Sequence, residues 1–202
     1  MKLKRAFVLL NGLVPKIFPD LSQYDIVCAI DGAYNHLESS NIIPDLVTGD
    51  FDSIHTIPTT VEVINTPDQN FTDFDKALMI LNERGFILID VYGGSGKEHD
   101  HFLGNISTAL QWKSKLNISF FDDFGKYFFI GRNITLNNIM GRNISLIPFP
   151  IASKINTEGL LYPINNETLT FGKRIGTRNK AAKNSIQISF EEGELLLYIS
   201  NT

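Results

Sequence analysis

Residues 46 to 54 read LVTGDFDSI: a short apolar strand, Leu46-Val47-Thr48, runs through Gly49 into two aspartates, Asp50 and Asp52. In extended backbone, residues two apart point the same way. A strand ending here aims two carboxylates at one spot, where they repel and raise one another's pKa unless a cation sits between them. Two further stretches offer matching chemistry. In TDFDKALMILNERG, Asp73 and Asp75 open a helical pattern with Thr72 as its N-cap, and Lys76 stands in the first turn. Acidic groups there suit the macrodipole, but a cation does not, which points to an anion nearby. In VYGGSGKEHDHFLGN (91–105), a strand ends in Gly93-Gly94-Ser95-Gly96, followed by Lys97 and Asp100. A glycine-rich turn between strand and helix exposes N–H groups and suits a phosphate, although such turns also serve tight loop geometry. The spacing is neither that of a P-loop nor G-x-G-x-x-G. His99, Asp100 and His101 are adjacent and diverge, so zinc is disfavoured.

Alternating elements must position these groups. Strands are expected at Ala6–Leu10, Ile26–Ile30, Leu46–Thr48, Val61–Ile64 and Ile87–Tyr92. Helices are expected near Ala33–Ser39, Phe74–Glu83 and Phe102–Trp112. Phe74, Ala77, Leu78 and Leu81 share one helical face, and Gly85 fits a helix stop. Alternation of this kind predicts βαβ units and a mainly parallel, open α/β sheet. Asp31, Asp50, Asp52, Asp73 and Asp100 then each follow a strand or open a helix. Those places line the crevice at the carboxyl ends of the strands, where such sheets bind ligands.

From Ile118 onward only short strands are expected: Ile118–Phe121, Tyr127–Ile130, Ile134–Leu136, Ile144–Ile147, Thr168–Phe171, Ile186–Phe190 and Leu195–Ile199. This predicts an all-β sandwich or barrel. GRNITL (131–136) and GRNISL (141–146) lie ten residues apart, a hairpin spacing, and read as two similar strands rather than an internal repeat. The expected domains are 1–120 and 121–202. Charge divides with texture. Residues 1–124 carry 9 Lys+Arg against 17 Asp+Glu, and residues 125–202 carry 9 against 5.

At 202 residues, 43% hydrophobic and 20% charged, the chain is globular. The start, MKLKRAFVLLNG, mimics a signal peptide. Its apolar run is too short and lacks a cleavage site, so a buried first strand is expected. No run suffices for a membrane span. The single cysteine, Cys28, excludes an internal disulfide, lies in an apolar strand and fits a reducing cytoplasm. An acidic chain disfavours nucleic acid. Carboxylates beside phosphate oxygens are the usual setting for Mg²⁺. The residues alone therefore predict an α/β domain binding a Mg²⁺–nucleotide for phosphoryl or pyrophosphoryl transfer. The rival reading is an acidic rim that only keeps the protein soluble.

Four segments in order carry a resemblance. Asp31-Gly32-Ala33-Tyr34-Asn35-His36-Leu37 is similar to the D-G-[GA]-x-N-x-L of thiamin pyrophosphokinases. Pro44 to Ser53 resembles that family's P-D-[LI]-x-x-G-D-F-D-S, the most specific of the set. Thr66-Pro67-Asp68-Gln69-Asn70-Phe71-Thr72-Asp73-Phe74-Asp75-Lys76 resembles its D-x-x-x-T-D-x-x-K segment. Asp100-His101 with Leu103 and Asn105 resembles its D-H-x-L-x-N. The resemblance implies an α/β domain followed by a β-sandwich, a homodimer, and a thiamin site between subunits. It implies Mg²⁺-dependent transfer of diphosphate from ATP to the thiamin hydroxyl, leaving AMP. Carried over by position, Asp50, Asp52, Asp73 and Asp100 are the catalytic carboxylates, with Asp50, Asp52 and Asp73 on the metal. Asp31, Asn35, Thr72, Lys76, Gly94, Ser95, Gly96, Lys97 and Asn105 would bind ATP; Tyr162, Asn179 and Asp100 would bind thiamin. The family often has an arginine before its D-H, where this chain reads Gly96-Lys97-Glu98-His99, so one phosphate contact is lost or supplied from elsewhere. The basic run 172–180 is either a phosphate contact or a solvated loop. A non-catalytic nucleotide or thiamin sensor and a Mg²⁺-dependent phosphohydrolase are the alternatives.

Overall fold

A computed structural model describes residues 2–202. The chain has a mixed α/β fold and divides into two compact units, one ending at Asp123 and the other beginning at Phe124.

In the first unit, β1 (Lys4–Leu9), β2 (Ile26–Ile30), β3 (Leu46–Gly49), β4 (Glu62–Asn65), β5 (Phe86–Tyr92) and β6 (Asn117–Phe121) lie in the order β4-β3-β2-β1-β5-β6. All five pairings are parallel. Ala6, Phe7, Val8 and Leu9 are fully buried, as strands covered on both faces require. Three helices connect strands: α1 (Ala33–Ser39), α2 (Asp73–Glu83) and α3 (His99–Trp112). The Thr72 side chain caps α2 by accepting from the Asp75 amide, and Gly85 turns the chain away at φ 79°. The chain leaves β1 toward β2, β3 and β4, then returns to place β5 on the other side of β1. The order therefore reverses between β1 and β5, the place where open α/β sheets form a ligand crevice. Cys28 is buried in β2, and burial pushes its thiol up to about 12, so it is a core residue. None of the helices is long and apolar enough to cross a membrane, among the described residues.

The second unit is all β: β7 (Gly125–Phe129), β8 (Asn133–Asn137), β9 (Asn143–Glu158), β10 (Asn165–Thr170), β11 (Gly176–Lys180), β12 (Ser185–Ser189) and β13 (Glu192–Ser200). Its spine is the 16-residue β9. One edge of β9 pairs with β13 and then β12, the other with β11 and then β10. Ile144, Leu146, Ala152 and Ile155 of this strand enter a core shared with Leu169, Ile186, Leu195 and Leu197.

Three expectations change. The strand expected at Ile144–Ile147 continues through Pro148 and Pro150 to Glu158, although proline breaks a ladder. The GRNITL and GRNISL strands are β8 and the start of β9, but they form no hairpin: β8 pairs with β12, and the start of β9 pairs with β13 and β11. Part of the basic run is the strand β11, an edge strand whose side chains are mostly exposed.

Candidate active site

A cleft of about 730 Å³ opens at the carboxyl ends of the first unit's strands. Its floor is the switch point. The Gly12 amide donates to the Gly93 carbonyl (2.9 Å) and the Leu13 amide to the Ser95 carbonyl (2.7 Å). The approach leaves no room for side chains: a Cβ on Gly12 would lie 2.2 Å from the Gly93 oxygen, and one on Gly93 would lie 2.2 Å from the Leu10 oxygen. The glycine turn is thus required to seat β1 against β5. Asn105 steadies it by donating from Nδ2 to the Gly94 carbonyl (3.0 Å).

The acidic wall comes from β2 and β3. Parallel pairing sets Ile30 beside Thr48, and the Asp31 amide donates to the Thr48 carbonyl (2.8 Å). Asp31 therefore emerges beside Gly49, where a Cβ would stand 2.9 Å from the Asp31 Cβ. Asp31, Asp50 and Asp52 each offer a carboxylate oxygen, all within 4.8 Å of one another. Asp31 Oδ1 is buried with no hydrogen-bond partner.

The pleat does not bring Asp50 and Asp52 together, contrary to the expectation from extended backbone. The strand ends at Gly49, and Phe51 is left-handed at φ 68°. The Asp52 amide donates back to Asp50 Oδ1 (3.3 Å), a side-chain-closed turn. A bulky residue at positive φ is strained; here the Phe51 ring packs against the core of the first unit. Asn35 braces the turn, donating to the Ser53 carbonyl (3.0 Å) and accepting from the His55 amide (3.2 Å). Hydrogen bonds from Gln69 Nε2 (3.0 Å) and from the Asp52 amide hold the Asp50 carboxyl below its ordinary value, so it is ionised at neutral pH.

Asp73 stands apart from that trio. Its Oδ1 makes no hydrogen bond of good angle, yet lies 2.8 Å from Lys76 Nζ, so the ion pair is its contact. Lys76 is buried and also donates to the carbonyls of Thr66 (2.5 Å) and Asp68 (3.0 Å). The anion that its odd position called for is Asp73, and two backbone carbonyls hold the same ammonium by hydrogen bonds. The Asp75 carboxylate, also buried, accepts from Trp112 Nε1 at 2.6 Å, tying the start of α2 to the end of α3. Across the cleft, Lys97 Nζ donates to Asn11 Oδ1 (3.1 Å) and faces His36 Nε2 at 3.5 Å. Ser95 and Asp100 line the same cleft, and Asp100 Oδ1 accepts from the His101 amide (2.9 Å). Gly96, at φ 88°, lets the loop pass Leu13.

Tyr162 and Asn179 belong to the second unit. The Tyr162 side chain is exposed. Asn179 is buried and committed to its neighbour, accepting from the Tyr162 amide (3.0 Å) and donating to the Tyr162 carbonyl (2.6 Å). Sequence reasoning passed over Asn11, Gln69 and His36. Asn11 had a signal, since it follows β1 as Asp31 follows β2. His36 and Gln69 had none, because only the fold brings them to Lys97 and Asp50.

The family model described as the thiamin pyrophosphokinase catalytic domain matches residues 20–120, and that of the vitamin B1 binding domain matches 132–195. The chain belongs to the thiamin pyrophosphokinase family. It is 27% identical over 198 residues to the thiamine pyrophosphokinase of Bacillus subtilis, covering 93% of this chain and 92% of that protein. It is 28% identical over 176 residues to thiamin pyrophosphokinase 1 of Caenorhabditis elegans, covering 78% and 72%. The crystal structure of the Bacillus subtilis enzyme superposes with a TM-score of 0.84 at 27% identity, over 98% of this chain and 99% of that one. The fold is shared with a family member from Enterococcus faecalis, TM-score 0.85 at 20% identity, over 98% and 99%.

Proposed function

We propose that this protein is a Mg²⁺-dependent thiamin pyrophosphokinase, moving diphosphate from ATP to the hydroxyl of thiamin to give thiamin diphosphate and AMP. The observation that carries the chemistry is the trio Asp31, Asp50 and Asp52. Three clustered carboxylates, one with a buried and unpartnered oxygen, fit a hard divalent cation that prefers oxygen ligands. Asp31 thus joins Asp50 and Asp52 as a metal ligand, while Asp73 acts from beside the site. When bound, the metal would supply charge neutralisation for the polyphosphate.

The chain's own residues do the rest. The glycine turn at 93–96, held by Asn105, offers backbone N–H groups to phosphate oxygens. Lys97 adds a cation on the same side. Lys76 keeps the 66–72 segment closed over the acidic wall rather than touching phosphate. Thr72 sets the first turn of α2 and so aims Asp73 into the cleft. Asp73 and Asp100 are the carboxylates left to orient the thiamin hydroxyl for in-line attack on the β-phosphorus. Tyr162, exposed and fixed through Asn179, suits stacking on the thiamin pyrimidine. The first unit is then the catalytic, ATP-binding domain. The second, folded as a β-sandwich, binds thiamin and forms a homodimer in the cytoplasm, with the thiamin site between subunits.

The test is a product assay with purified protein, ATP, Mg²⁺ and thiamin. Equal amounts of AMP and thiamin diphosphate are expected, lost in both Asp50→Asn and Asp31→Asn. Thiamin binding without AMP would make the protein a sensor. ADP or free phosphate without thiamin diphosphate would make it a phosphohydrolase.

A further inference from the structure

The missing arginine leaves Lys97 as the cation of the glycine turn, and its resting position is unusual. Its ammonium is held by Asn11 Oδ1 and by the ring of His36, which comes from α1. An ammonium has hydrogens to donate and no lone pair. For this contact to be a hydrogen bond, the His36 nitrogen facing it has to be bare, with the ring neutral and its proton on Nδ1. The contact is long at 3.5 Å and easily broken. Burial, and then the charge of Lys97, both hold His36 below its ordinary value. On its own helix the nearest carboxylate, Glu38, is engaged with the Tyr34 hydroxyl at 3.2 Å. Lys97, from the turn after β5, is the charged group that acts on the ring; Asn11, after β1, is neutral.

We propose that His36 is a proton-linked partner of Lys97. Its bare nitrogen holds the ammonium at the cleft wall until a polyphosphate draws it away, and the released imidazole then takes a proton from solvent and becomes a second cation facing the phosphates. His36 thereby supplies the charge that the 96–99 segment lacks. This rests on the reading of the cleft as a nucleotide site. Binding and protonation are reciprocal, so whatever ATP does to His36, protonation does to ATP affinity.

The experiment is an NMR titration of the His36 ring in the whole protein, with and without saturating metal-free ATP. The expected result is a pKa raised by about one unit with ATP, equivalent to about tenfold tighter ATP binding by the protonated form. In Lys97→Met the ATP-free pKa should also rise, since the opposing charge is gone. Calorimetry of ATP binding in buffers of different ionisation enthalpy should show extra proton uptake in wild type over His36→Gln; the γ-phosphate's own titration is common to both. His36→Arg should bind ATP with less pH dependence than wild type. An unmoved His36 pKa in the presence of bound ATP, or equal proton uptake by wild type and His36→Gln, overturns the proposal. Were His36→Gln not to fold, the wild-type titration decides alone. Production of AMP with an unmoved His36 sinks this proposal and leaves the activity standing; failure to bind ATP at all sinks both.

Discussion

Gly49 and Phe51 show how single residues build the acidic wall. Gly49→Ala would press a methyl group against Asp31 at 2.9 Å. A displacement near 1 Å at a reacting centre can cost about a hundredfold in rate. A fall of that order in kcat/KM is expected for Gly49→Ala, together with a lower melting temperature, because φ 153° and the Asp31 backbone both disfavour a Cβ there; steady-state kinetics and a melting curve check the two. Gln69 acts on Asp50 by charge-assisted hydrogen bonding. The folded Asp50 carboxyl titrates below its ordinary 3.8, so its ionised form adds stability that is present above 3.8 and lost as pH falls through the folded value. Gln69→Ala removes the leading cause of that depression. The Asp50 pKa should rise, by carbon-detected NMR, and protons should compete with Mg²⁺ at higher pH than in wild type. An unchanged titration would mean that the bond does not persist in solution.

At the scale of elements, α2 is anchored at its first turn by buried charge. Lys76→Met would strip the ammonium from Asp73 and from two carbonyls. Removing one partner of a buried pair costs on the order of 3 kcal/mol, and part of Asp73 remains wet, so a loss somewhat below that is expected in urea unfolding. Trp112→Phe would leave the Asp75 carboxylate without its indole donor, at about 1.5–3 kcal/mol; Asp75→Asn, which keeps an acceptor, should cost less. The three helices were legible because caps and apolar spacing are local signals. α1 falls at the expected Ala33–Ser39, and α2 begins one residue before its expected start. β11 was not legible: its sequence, GTRNK, is polar throughout, and it forms only because β9 offers a free edge. The site divides the same way. Asp31, Asp50 and Asp52 could each be placed at a strand end. That they meet depends on β2–β3 register and on a left-handed Phe51, neither of which a one-dimensional pattern encodes.

At the scale of the molecule, the second unit shows apolar surface that the proposed homodimer would cover. Phe171 and Ile151 are exposed, and Phe171 continues a row of rings through Phe149 to Phe129 at centroid distances of 6.0 and 5.2 Å. Phe171→Asp should shift the protein toward monomer in light scattering while leaving the unfolding of each chain nearly unchanged; a dimer of undiminished affinity would place the interface elsewhere. The bond between Trp112 and Asp75 has an optical consequence. The chain holds one tryptophan among 202 residues. That indole is buried, and its N–H touches a carboxylate two residues from Asp73. Excited at wavelengths that the six tyrosines do not absorb, the protein's emission is therefore the signal of a single indole, one hydrogen bond from the first turn of α2. Its wavelength and lifetime can follow occupancy of the active site in real time, without a label.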